Sequence, residues 1–183
     1  MLRYFSMIKT KPLYINLLFT FLALGFHAYL AHEYFSVQNG EATGSSICNL
    51  GGVFNCQAVS QTTYAKLWGQ PLALWGLATN FIFFFAQIML VMRQEIKDVW
   101  TDLTIYLSVV ILAASGIMGM INLTQIKYVC IFCVSTYVLS VLNIIFLKMA
   151  GLQYLPAFRN IKSALTEKVN WIAALCIPIL VFF

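Results

Sequence analysis

Five apolar stretches, most about as long as a helix that crosses a bilayer, constrain this chain more than anything else in it. A membrane core takes about 20 consecutive apolar residues in helical form, because every backbone N–H and C=O must find its partner within the segment. The stretches run from about Leu13 to Ala31, Pro71 to Met92, Val99 to Leu123, Val129 to Met149 and Val169 to Phe183. The last is too short to span comfortably and reads as a half-inserted or truncated helix. Composition points the same way: 61% of the 183 residues are apolar and only 9% charged, against roughly a quarter charged in a soluble domain. So few charges cannot solubilise that much apolar side chain. A soluble globular protein, a disordered chain and a nucleic-acid binder working through a basic face are all excluded. The expected fold is all-α and polytopic: a four-helix transmembrane bundle over residues 1–150, a linker at 151–168 and a fifth C-terminal helix at 169–183.

Details of the stretches refine this. A cleaved signal peptide ending at Ala31 would place Tyr29 where a small residue is wanted, so the first stretch reads as a retained anchor. Pro71 suits the first turn of the second helix, where a missing N–H costs nothing. Ala114, Ser115, Gly116 and Gly119 suit close helix–helix contact in lipid. Asn80 lies inside the second span, where a polar amide is costly unless bonded.

Lysine and arginine set the orientation. Of the eleven, nine (Arg3, Lys9, Lys11, Arg93, Lys97, Lys148, Arg159, Lys162 and Lys168) fall on one side, leaving Lys66 and Lys127 on the other. The rich side is predicted to be cytoplasmic, so the net charge of +5 reflects topology. The lipid bilayer is the only partner it implies. The opposite side carries the one long connection, residues 32–70, too long for a passive link. It is expected to fold over the bundle mouth, with a short interfacial helix around Gln61 to Trp68.

Four of the five cysteines map to that non-cytoplasmic side: Cys48 and Cys56 within CNLGGVFNC, Cys130 and Cys133 within CIFC at the start of the fourth span. Outside the cytoplasm thiols pair, and three readings compete. Two structural disulfides would make a non-enzymatic membrane scaffold. Bridging the loop pair contributes roughly 2.5 kcal/mol, and bridging Cys130 to Cys133 within one helical turn constrains almost nothing. A four-thiolate zinc site matches by count, but the loop pair is spaced more widely than zinc ligands usually are, and no metal is expected. The third reading is a redox relay. A C-x-x-C pair opening a helix puts its first cysteine among unsatisfied N–H groups that lower a thiol pKa, and Gly51 and Gly52 make the loop pair mobile. Such a chain transfers two electrons, and the acceptor at hand in a membrane is a quinone. The relay fits the placement best. Cys176 reads as a small apolar filler, and His27 and His32 as ordinary interfacial histidines.

The order Cys48, Cys56, Thr62, then Cys130 with Cys133, together with NCQAVSQTTYAKLWGQPLALWG and CIFCVSTY, resembles the vitamin K epoxide reductase family, bacterial members included, over about residues 10 to 150. The resemblance implies a four-helix bundle enclosing a quinone, ubiquinone or menaquinone, with the C-x-x-C pair at its mouth. It implies that Cys133 contacts the quinone, that Cys130 exchanges with Cys56, and that Cys48 is attacked by a thioredoxin-fold partner protein or domain. Thr62 stands where the family usually has serine. Tyr137 matches a family tyrosine beside the quinone, and animal members hold a quinone oxygen with an asparagine near the position of Asn80. These residues outline an oxidoreductase of a bacterial cell membrane that supports disulfide formation outside the cytoplasm.

Overall fold

The computed structural model describes residues 10–40, 48, 52–92 and 97–152. The expected linker beyond Leu152, the fifth helix and Cys176 lie outside the described residues. Among the described residues, four helices are long and apolar enough to cross a membrane: α1 (Thr10–Gln38), α3 (Leu72–Met92), α4 (Lys97–Gln125) and α5 (Ile131–Met149). Between α1 and α3 come the short α2 (Cys56–Ser60), a 3-10 turn (Thr63–Ala65) and a hairpin of β1 (Lys66–Leu67) and β2 (Gln70–Pro71). The chain is a multi-pass helical membrane bundle, as the apolar stretches require.

The four long helices form a closed ring: α1 and α4 each pack between α3 and α5. At the end away from the cysteines, Leu13, Phe83, Leu90, Ile105 and Leu147 bury themselves in one cluster. Just inside it the packing turns polar. Asn16, Thr20, Gln87 and Thr104 are all fully buried. Gln87 Nε2 donates to Thr20 Oγ1 at 2.9 Å, and Thr20 donates to the Asn16 carbonyl at 3.0 Å. Lipid tails are as apolar as leucine, so such bonds and close packing, more than hydrophobicity, hold neighbouring helices together. Between α4 and α5, Ser140 donates to the Thr136 carbonyl and so accepts from Ser115 at 2.8 Å. Gly119 lies beneath the Tyr137 ring, whereas Gly116 faces open space. The small-residue set therefore serves α4–α5 contact at two of its positions.

The helix ends depart from expectation. α1 continues past Ala31 to Gln38, because Glu33 and Tyr34 are buried rather than solvated. Pro71 pairs with Lys66 in the hairpin, one residue before α3 begins, and is not in its first turn. α5 begins at Ile131, since Val129 is held extended in a parallel bridge to Phe54. The short helix expected at Gln61 to Trp68 is replaced by α2, the 3-10 turn and the hairpin. The reason is the turn itself: Trp68 and Gly69 both take positive φ (52° and 82°), the conformation a two-residue hairpin demands. Trp68 is 84% exposed and stands edge-on to Trp75 at 5.7 Å, an arrangement suited to an aromatic at a membrane–water interface.

Candidate active site

The connection between α1 and α3 is fastened to the mouth of the bundle. Val129 N–H donates to the Val53 carbonyl at 2.8 Å and Asn55 N–H to the Val129 carbonyl at 3.2 Å, one on each side of the Phe54–Val129 bridge. Asn55 then caps α2, its side chain accepting from the Ala58 N–H at 2.9 Å. Cys56 thereby becomes the first residue of that helix. A second tie comes from α1, where the buried Glu33 carboxylate accepts from Gln57 Nε2 at 2.8 Å. These contacts leave Cys56 little freedom, and it is 2% exposed.

Cys48 and Cys56 form a disulfide, their Cα atoms 5.6 Å apart. Cys130 and Cys133 are both free thiols. The Cys130 Sγ lies 3.2 Å from the Cys56 Sγ and 2.6 Å from the Cys133 Sγ. Four sulfurs thus form a continuous path from the loop to α5. The Sγ atoms of Cys48, Cys56 and Cys130 all lie within 4.8 Å of one another. Two of them are joined in a disulfide, and Cys130 is the free thiol of the three.

Cys130 is the N-cap of α5, not a residue of its first turn, and its sulfur accepts the Cys133 N–H at 3.2 Å. Its thiol is held below the ordinary range. The Cys133 S–H donating to it is the largest cause, and the N–H groups of Cys133 and Phe132 help, against the opposing pull of burial. Thiolate character therefore gathers on Cys130, with Cys133 as donor. In that bond Cys133 is the protonated partner and Cys130 the acceptor.

Beneath the loop lies a cavity of about 300 Å³, at the lower end of the range for small-molecule sites (roughly 300–1,000 Å³). Cys56, Cys130, Cys133, Thr62, Asn80 and Tyr137 all line it, so four separated segments bring their sequence-selected residues to one space. Mostly apolar walls beside a thiol pair fit a planar quinone ring. Two expectations change in detail. The Thr62 hydroxyl donates to the Val59 carbonyl at 2.8 Å, leaving only its oxygen lone pairs for the cavity. Asn80 Nδ2 donates to the Gly76 carbonyl at 2.9 Å. That bond is within α3, and one amide N–H remains for another acceptor.

Sequence reasoning missed His27. It lines the same cavity, and its Nδ1 is buried without a partner among the described residues. The signal was Gly76, where any Cβ would run into the imidazole, but a glycine in an apolar helix does not announce what it makes room for. His32, by contrast, is exposed.

Comparison with known proteins agrees with this geometry. No curated protein matches the chain. The model of the vitamin K epoxide reductase family matches residues 14–147, from the first turns of α1 to the last of α5, with all four relay cysteines inside. That family implies an integral-membrane oxidoreductase with a quinone co-substrate, which is what a thiol pair bordering an apolar intramembrane cavity is built to be. The chain belongs to the vitamin K epoxide reductase family.

Proposed function

We propose that this protein carries electrons from a thioredoxin-fold dithiol to a membrane quinone, and so drives disulfide formation outside the cytoplasm of a bacterial cell. The observation that carries the reading is the 3.2 Å approach of the Cys56 and Cys130 sulfurs while Cys133 borders the cavity. The partner's dithiol attacks Cys48 of the loop disulfide and is released as a disulfide, leaving Cys48 and Cys56 reduced. Cys56 then attacks Cys130 of an oxidised Cys130–Cys133 pair, and Cys48 resolves the mixed disulfide. The loop pair is again oxidised and the C-x-x-C pair holds two thiols. A bound quinone, ubiquinone or menaquinone, takes up two electrons and two protons when the Cys130–Cys133 bond re-forms, and leaves as the hydroquinone.

The chain's own residues divide the labour. Cys130 is the sulfur that leaves when Cys48 resolves the mixed disulfide, and a lowered thiol pKa makes it the better leaving group. Cys133 closes the disulfide on the cavity side. Asn80 and Tyr137 offer donors to quinone oxygens, and Thr62 offers an acceptor to a hydroquinone O–H. The nine basic residues of the opposite side support a mouth that faces away from the cytoplasm. The test is a pair of variants. Cys133→Ala should abolish quinone reduction while the loop pair still exchanges with an added dithiol. Cys48→Ala should block the thioredoxin-fold partner while dithiothreitol still feeds quinone. Equal loss of both activities in both variants would refute the ordered path.

A further inference from the structure

The polar groups around the cavity are mostly committed. The hydroxyls of Ser60, Thr62, Thr79 and Thr136 each donate to a carbonyl three or four residues back, at 2.7 to 2.8 Å. Such back-bonding satisfies a hydroxyl locally and leaves it no proton for a ligand. His27 differs. Its Nδ1 is sealed from solvent and has no partner among the described residues, a condition unfavourable for a buried polar atom. The imidazole reaches the cavity only because α3 carries Gly76 opposite it, where a Cβ would overlap the ring. A glycine inside a helix is unfavourable relative to alanine, because it loses more conformational freedom on folding. Two unfavourable features, an unpartnered imidazole Nδ1 and a helical glycine, thus meet at one point on the cavity wall.

We propose that His27 is a quinone-binding residue, donating an imidazole N–H hydrogen bond to a carbonyl oxygen of the ring, with Gly76 as the notch that admits it. This rests on the reading of the cavity as a quinone site. Electron transfer is unchanged by it: both electrons and both protons still come from the Cys130–Cys133 thiols. His27 contributes a donor whose bond strengthens as the carbonyl oxygen gains electron density, because hydrogen bonds to charge-bearing oxygens are the stronger ones. It adds an anchor on α1 to those on α3 and α5.

Binding without turnover tests this. The full-length protein in detergent, with both cysteine pairs oxidised, is titrated with a short-chain benzoquinone and read by quenching of tryptophan fluorescence, Trp75 being a wall of the cavity. His27→Phe keeps a ring but removes the donor and should weaken binding about tenfold, the scale of one buried hydrogen bond. His27→Gln keeps a donor and should stay closer to the parent than the phenylalanine variant does. Gly76→Ala leaves the imidazole intact but displaces it, and should weaken binding as His27→Phe does. The thermal unfolding midpoint in detergent should stay close to the parent's in all three, which shows that they fold. Wild-type affinity in both His27→Phe and Gly76→Ala would overturn the assignment, while quinone turnover by the parent protein would leave the relay standing. A parent that binds quinone through His27 yet fails to pass electrons to it would overturn the relay and keep the contact.

Discussion

Cys130 shows how one residue's chemistry depends on its immediate neighbours. Its place at the start of α5 is visible in the sequence, and backbone N–H groups there favour a thiolate. The larger contribution comes from the Cys133 S–H, with the N–H groups of Cys133 and Phe132 behind it and burial opposing. The sign of a substitution follows. In Cys133→Ala the principal donor is gone and burial remains, so the Cys130 thiol pKa should rise, and its thiolate should appear at higher pH than in the parent. The pH dependence of Cys130 alkylation, or of thiolate ultraviolet absorbance, measures this. An unmoved midpoint would assign the effect to the helix terminus instead. Thr62 teaches the same lesson in reverse: a hydroxyl at a family serine position is legible in the chain, but its bond to the Val59 carbonyl is a property of the folded turn.

At the scale of elements, two short-range devices decide what the helices can do. The Val53–Asn55 segment reaches α5 through two backbone bonds around Val129, so Cys56 faces Cys130 only while that clamp is closed. Val129→Pro removes the N–H that bonds the Val53 carbonyl, a loss of roughly 1 kcal/mol or about fivefold in the clamped population. Mixed-disulfide exchange between Cys56 and Cys130 should slow by that order. Quinone reduction fed directly by a small dithiol should persist, as trapping of the mixed disulfide against a quinone assay will show. The second device is the bond from Gln87 to Thr20 between α3 and α1. Thr20→Val leaves the buried Gln87 amide without its acceptor and should destabilise the bundle by about 1 kcal/mol. Adding Gln87→Leu should recover most of that loss. Thermal unfolding in detergent reads both, and a double variant no better than the single would show that packing, not the hydrogen bond, matters there.

At the scale of the molecule, the described residues form a closed ring of four spans with the relay cysteines at one end and an apolar plug at the other. Its orientation rests on the asymmetry of lysine and arginine, nine against two, and this is open to direct measurement. The relay cysteines are too buried to report faithfully, so exposed reporters serve better. Trp68→Cys, at the 84% exposed hairpin tip, should react with an impermeant thiol reagent from outside. Met92→Cys, at the 69% exposed far end of α3, should react only once the cytoplasmic side is opened. The opposite pattern would invert the topology and remove the oxidising compartment that the relay requires.

Membrane residence, the number of spans in the described bundle and the two cysteine pairs were legible in the chain because each is a local property: run length, charge between runs, spacing along one helix or loop. Periods and counts of that kind survive any packing arrangement. The approach of Cys56 to Cys130 across 74 residues of sequence depends on how the loop is pinned to α5, which no local pattern encodes. The same holds for the imidazole seated over Gly76 and the commitment of the cavity's hydroxyls to nearby carbonyls. Those outcomes are set by the relative rotation and depth of helices, and in lipid that is decided by side-chain fit and buried hydrogen bonds among neighbours. The chain alone determined that thiols and an apolar membrane interior would meet; tertiary packing decided which sulfur touches which, and which polar groups are left to face the cavity.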